Sequence, residues 1–168
     1  MSISRQLIKY LGFILLITAN IGCDQISKSA AREHIAYHDQ IPVIGDNLVL
    51  TKVENSGAFL SLGDDMSDFS KSLLLNILPA LTLVMLLFWL FRSNLSQGMA
   101  LALCFIIGGG IGNIFDRIMH GSVTDFLYVR IGIFHTGIFN MADVSITGGV
   151  LFLLAYQLLK PKNLVTRS

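Results

Sequence analysis

Two aspartates set the chemical question: Asp125 in GSVTDFLYV and Asp143 in FNMADVSITGG, 18 residues apart in a chain where only 14% of residues are charged. Two carboxylates about 4 Å apart, at an effective dielectric near 20, repel by ~4 kcal/mol, so one of them keeps a proton well above its ordinary pKa. Such a pair contains a base and an acid together. The ionised member can take a proton from water while the protonated member polarises a peptide carbonyl, and an amide is hydrolysed without a metal or a covalent intermediate. Asp143, near a helix N-terminus whose dipole favours negative charge, is expected to be the ionised partner and Asp125 to hold the proton, within one shared titration. A plainer explanation exists for Asp143, because Asn140 followed three residues later by an acid has the spacing of a capping box.

What favours chemistry is the number of polar groups that gather near the helix ends. Asn113, Asp116 and Arg117 in GGGIGNIFDR are spaced by three and four residues and are expected on one helical face. An Asp116–Arg117 arrangement would explain two of them structurally, yet ionised groups at membrane depth cost roughly 2.5 to 3.5 kcal/mol and are usually retained for a reason. Asp24 and Lys28 end the first apolar run in a similar way. Gly108 and Gly112 form a GxxxG pair, which suits close helix packing and could also admit a substrate helix. Cys23 and Cys104 have neither CxxC nor histidine spacing, so no zinc site or disulfide framework is indicated, and both are expected to be buried fillers. His34, His38, His120 and His135 are scattered among connecting segments and are expected to face solvent or the interface.

These side chains need a scaffold, and 53% hydrophobic content points to a bilayer. Four apolar, uncharged stretches run over 10–23, 72–91, 93–115 and 144–159, against the 17 to 25 residues, roughly, that a spanning helix requires. The first and last must recruit neighbours or thin the bilayer slightly. A cleaved signal sequence ending at Gly22-Cys23 is a weaker reading of the first stretch, since Asn20 stands where an aliphatic residue is usual. With the N-terminus inside, Arg5, Lys9, Arg92, Lys160, Lys162 and Arg167 all fall on the cytoplasmic side, and every Asp and Glu falls outside. Between the first two spans, IPVIGDNLVLTKV reads as two short strands turning at Gly45-Asp46-Asn47. Ser67 and Asp68 are candidate caps for the second span, and Pro79 should kink it. No repeat or linker divides the chain, so 1–168 is expected to be one integral membrane domain.

With these blocks in place the chain resembles the bacterial lipoprotein signal peptidases, signal peptidase II, an aspartic membrane peptidase family. The likeness rests on DQISK, ENSGAFLSLG, GGGIGNIFDR, GSVTDFLYV and FNMADVSI, five blocks in order from the first span to the fourth. It implies an all-α membrane fold of four transmembrane helices with a small extracytoplasmic β-sheet cradle. It further implies an aspartic endopeptidase with Asp125 and Asp143 as the catalytic pair. Prolipoproteins would be cut just before a diacylglyceryl-modified cysteine. By matching position, Asn55, Gly57, Asn113, Arg117 and Asn140 would bind substrate or shape the site, while Asp24, Lys28 and Asp116 would brace it. Phe59 departs from the second alanine of many relatives, which bears on pocket shape.

The resemblance implies no cofactor and no metal. Expected partners are prolipoprotein substrates and membrane lipids, with no nucleic acid, and the chain is expected to act as a monomer. Its place would be the bacterial cytoplasmic (inner) membrane, with both termini cytoplasmic and the site near the extracytoplasmic face. A proton-coupled transporter or channel is the main alternative, but four spans are few for one and its acids should lie near the midplane. A purely structural membrane protein is a second, for which Asp125→Asn and Asp143→Asn would each leave function intact. A lipid phosphatase lacks its histidine-centred or Lys/Arg-rich signature.

Overall fold

The computed structural model describes residues 3–57 and 67–159. Helix α1 spans Ile3–His34; strands β1 (Ile41–Ile44) and β2 (Leu48–Asn55) follow. Next come α2 (Asp68–Lys71), a π-helical stretch Ser72–Ile77 and α3 (Leu78–Arg92), then α4 (Gln97–His120), β3 (Val123–Ile131), β4 (Phe134–His135) and α5 (Met141–Leu159). Four helical rods are long and apolar enough to cross a bilayer: Ile3–His34, Phe69–Arg92, Gln97–His120 and Met141–Leu159.

Each rod runs past at least one end of its expected span, because a charge ends an apolar run without ending a helix, although the third begins only at Gln97 rather than at 93. α1 has 32 residues, about 48 Å at ~1.5 Å per residue, against roughly 30 Å of hydrocarbon. Its C-terminal turns pass beyond Cys23 and carry Asp24, Lys28 and Ala31 into the interior. The surplus length supports the sheet: Ala31, Ile35 and Phe126 form a small buried cluster, and Lys52 Nζ donates to the Arg32 carbonyl at 3.2 Å.

α4 is the central helix. Of its apolar window 44% is buried, against 6–11% for the other three. Lipid supplies no hydrophobic force between helices, so association depends on close packing, and α4 offers small residues on several sides. A Cβ on Gly108 would meet Asn20 of α1, one on Gly109 would meet Ala142 and Ile146 of α5, one on Gly110 would meet Leu83 of α3, and one on Gly112 would meet Asp24. Gly108 and Gly112 are thus filled by α1 and present no groove to a substrate helix, which corrects the second reading of that pair. The outer faces of the rods carry exposed Leu15, Val84, Phe88 and Leu158, the pattern of side chains that meet acyl chains.

The four strands pair antiparallel in the order β1-β2-β3-β4. The expected hairpin is present, with Gly45 at φ +50° in its turn and Asn47 N–H donating to the Ile44 carbonyl at 3.0 Å. Ser67 caps the second rod through the Ser70 N–H at 3.3 Å, whereas Asp68 lies within α2. The π-helical stretch precedes Pro79, in the first turn of α3. A widened turn there accommodates a residue that has no N–H to give and whose ring crowds the preceding turn. Both cysteines are free; Cys104 is buried as expected, but Cys23 is exposed on α1. The four histidines are exposed. Phe59, Lys160, Lys162 and Arg167 lie outside the described residues.

Candidate active site

Asp125 arrives on a strand. β2 and β3 pair with Val53 opposite Asp125 and Asn55 opposite Val123. Side chains alternate along a strand, so Val123 and Asp125 share one face, and both line a cavity of about 50 Å³. Asn55, Asn113, Arg117, Asn140 and Asp143 complete its wall. The volume suits about one water molecule.

Asp143 arrives on a helix, and a short bridge joins its start to the strand. Phe139 and Leu127 exchange backbone hydrogen bonds, Leu127 N–H to the Phe139 carbonyl at 2.8 Å and Phe139 N–H to the Leu127 carbonyl at 2.9 Å. The residue after Phe139 is Asn140, which caps α5. Its Oδ1 accepts the Asp143 N–H at 3.0 Å, and Asp143 Oδ2 accepts the Asn140 N–H at 3.2 Å. The reciprocal capping box expected from spacing is present, and it is the device that aims Asp143 into the cavity. The helix-cap and site readings of Asp143 are therefore two descriptions of one arrangement.

Each of the four carboxylate oxygens accepts one amide N–H. Asp125 Oδ1 accepts from Asn140 Nδ2 at 2.6 Å and Asp125 Oδ2 from Asn55 Nδ2 at 3.0 Å. Asp143 Oδ1 accepts from Asn113 Nδ2 at 2.9 Å, and Oδ2 takes the Asn140 backbone N–H already described. The asparagines cannot turn their oxygens inward without losing other partners. Asn55 Oδ1 accepts the Gly57 N–H at 3.1 Å, Asn140 Oδ1 holds the Asp143 N–H, and Asn113 Oδ1 accepts Lys28 Nζ at 2.9 Å and Asn140 Nδ2 at 3.2 Å. Arg117 donates from Nη2 to the Gly57 carbonyl at 3.1 Å, fixing the chain that follows Asn55. Among the described residues neither Asp125 nor Asp143 has an ion-pair partner within 4.0 Å.

Burial pushes the Asp125 carboxyl up to about 6; hydrogen bonds from Asn55 and Asn140 oppose the rise, the Asp143 charge adds to it, and Lys28 pulls it down. A carboxyl poised there can hold or release a proton near neutral pH, as acid–base chemistry requires.

Behind the cavity lies a second polar group of a different kind. Lys28 Nζ stands 2.8 Å from Asp24 Oδ2 and 3.2 Å from Asp116 Oδ2, and Arg32 Nη2 stands 3.0 Å from Asp116 Oδ1. Asp24, Lys28 and Asp116 are essentially without solvent exposure. Gln25 Nε2 ties Asp24 to Asp116, at 3.0 and 3.1 Å, and Asp24 Oδ1 accepts the Ala142 N–H at 2.9 Å. That bond satisfies a free N–H in the first turn of α5, so α1 holds in register the helix that carries Asp143. Asn113 and Asp116 both meet Lys28 Nζ, as neighbours on one face do, but Asp116 does not pair with Arg117. At ~100° per residue, positions 116 and 117 diverge to opposite sides of 113; one meets α1 and the other meets Gly57. Sequence reasoning missed Gln25, Arg32, Thr124 and Glu54. Thr124 Oγ1 accepts from Arg32 Nε at 2.8 Å and donates to Glu54 Oε1 at 2.9 Å, extending this group into the sheet.

Fold and cavity together define a multi-pass membrane protein with two amide-held acids where a strand meets two helix mouths. The family model for signal peptidase (SPase) II matches residues 16–159. The lipoprotein signal peptidase of Syntrophus aciditrophicus (strain SB) is 33% identical over 153 residues, 89% of this chain and 95% of that one. Its counterpart from Sulfurihydrogenibium sp. (strain YO3AOP1) is 32% identical over 165 residues, 97% of this chain and 99% of that one. A solved structure of a bacterial membrane enzyme, obtained by the in meso method, superposes with a TM-score of 0.81 at 26% identity, covering 94% of this chain and 93% of that chain. The chain belongs to the signal peptidase II family. It is a peptidase, and its four apolar helices and bacterial relatives make it a multi-pass protein of the bacterial inner membrane.

Proposed function

We propose that this peptidase removes the signal peptide from prolipoproteins, cutting just before a diacylglyceryl-modified cysteine, with Asp125 and Asp143 as the aspartic pair that activates water. The observation that carries the reading is the set of four amide donors on four carboxylate oxygens around one cavity. Held this way, both acids keep free lone pairs for a water and a carbonyl, while among the described residues no cation lies within ion-pair distance of either. Asp143 takes the proton from water, Asp125 gives one to the carbonyl, and on collapse of the tetrahedral adduct the proton returns to the leaving amine. Asn55, Gly57, Asn113, Arg117 and Asn140 shape the site, and Asp24, Lys28 and Asp116 brace it. Residues 1–168 act as a single domain and as a monomer.

The charge placement supports a topology with both termini cytoplasmic and the cavity at the extracytoplasmic surface. There the scissile bond of a membrane-anchored precursor needs little vertical movement to reach the pair. The test is cleavage of a lipid-modified prolipoprotein by the purified chain in detergent. Wild type is expected to cut before the modified cysteine with or without a chelator. Asp125→Asn and Asp143→Asn are each expected to lose at least about 100-fold in rate, the scale of general acid–base catalysis. Full activity in either folded variant would reject the pair.

A further inference from the structure

At the end of the bundle opposite the carboxylates, α1 begins and α3 turns into α4 through Ser93 and Asn94. A polar cavity of about 290 Å³ opens there, lined by Gln6, Lys9, Tyr10, Arg92, Ser93 and Asn94 together with Phe91. Its frame is fixed by bonding: Tyr10 donates to the Phe91 carbonyl at 3.0 Å, satisfying one of α3's last free carbonyls, and accepts from Gln6 Nε2 at 2.9 Å.

The two cations at this cavity have no acid to face. Lys9 Nζ lies 5.5 Å from the Phe13 ring centre and Arg92 Cζ 5.7 Å from that of Phe88. Among the described residues neither makes an ion pair. Nor can the rest of the chain supply one nearby by sequence, because every Asp and Glu lies within 24–68 or 116–143. Topology alone explains why cations collect at one end of a bundle. It does not explain why a half-buried lysine, an arginine, a hydroxyl and two amides converge on one hollow.

We infer that this cavity binds a phosphate-type oxyanion, supplied by the headgroup of an anionic phospholipid whose chains lie on the adjoining Phe13 and Phe88. Lys9 and Arg92 provide the charge, and Ser93, Asn94 and Gln6 provide neutral donors, in the manner of basic pockets between transmembrane helices. The site is independent of the catalytic reading, since α4 puts about 36 Å between its two ends at ~1.5 Å per residue for its 24 residues.

The test is native mass spectrometry of the full chain in zwitterionic detergent, titrated with phosphatidylglycerol, phosphatidylcholine or inorganic phosphate. Wild type is expected to retain phosphatidylglycerol in preference to phosphatidylcholine. Lys9→Gln and Arg92→Gln should each weaken retention about fivefold, the equivalent of ~1 kcal/mol per basic residue, while Arg5→Gln, outside the cavity, leaves it unchanged. Cleavage rate and thermal unfolding without added lipid should be those of wild type, which shows that the variants are folded. Inorganic phosphate that binds and is lost in the same two variants would assign the oxyanion to a soluble source. Equal losses in Arg5→Gln, or equal retention of both lipids, would overturn the proposal.

Discussion

Two groups of acids lie within one side chain of each other and are treated in opposite ways. Asp24 and Asp116 each lie against Lys28, and Asp116 also against Arg32. Among the described residues, the hydrogen bonds that Asp125 and Asp143 accept come from neutral amides, and Arg117 on the same cavity wall makes no ion pair with either. A buried carboxylate beside a cation is held in one charge state, and removing either partner leaves an uncompensated charge. A buried carboxylate beside amides is held in position, but its charge remains free to change. The comparison separates a cluster that fixes structure from a pair that can exchange protons. Asn113 is where they touch, bonded to Lys28 on one side and Asp143 on the other.

The largest expected effect comes from making the pair resemble the cluster. Asn55→Lys would place an ammonium beside Asp125, lower its pKa from about 6, and slow cleavage by about 100-fold or more. A carboxyl-resolved titration alongside single-turnover rates checks both halves. Making the cluster resemble the pair costs folding: Asp116→Asn leaves Lys28 and Arg32 short of charge and is expected to destabilise the chain by about 3–5 kcal/mol, read from unfolding in detergent. Asn113→Leu acts on the shared side chain. It strips one donor from Asp143 and an acceptor from Lys28 and Asn140, and should lower kcat at least about tenfold with little change in KM, since one hydrogen bond to a charged group is worth roughly 1.5 kcal/mol. Smallest is a packing contrast on the helices that carry these groups. A Cβ on Gly112 would lie 2.5 Å from Asp24 Oδ2, whereas one on Gly148 meets nothing within 4 Å. Gly112→Ala should therefore cost about 1–3 kcal/mol and Gly148→Ala less than about 0.5 kcal/mol.

Much of this arrangement is legible in the sequence where a single physical constraint acts locally. Bilayer thickness makes four spans readable, the turn at Gly45-Asp46-Asn47 makes the hairpin readable, and the spacing of Asn140 and Asp143 makes the capping box readable. The strand that carries Asp125 is harder to see. Val123, Thr124, Asp125 and Phe126 are all buried, so no polar alternation marks the strand, and its partner β2 lies some 70 residues earlier in the chain. The separation of Asp116 from Arg117 was hidden for another reason. Helical spacing gives an angle, but only the positions of α1 and Gly57 decide which side each residue serves.

Stability should follow the same logic with pH. Asp125 binds its proton more tightly when folded, so its contribution to stability is fully present below the ordinary carboxylate pKa and is lost as pH rises through about 6.

The most direct test of the contrast is site-resolved carboxyl titration of Asp125 and Asp143 by carbon NMR in the folded, substrate-free protein. The account predicts a midpoint near 6 at Asp125 that falls in Asp143→Asn, with the shared proton mainly on Asp125. A proton found mainly on Asp143, or two acids that titrate independently in the ordinary range, would contradict it.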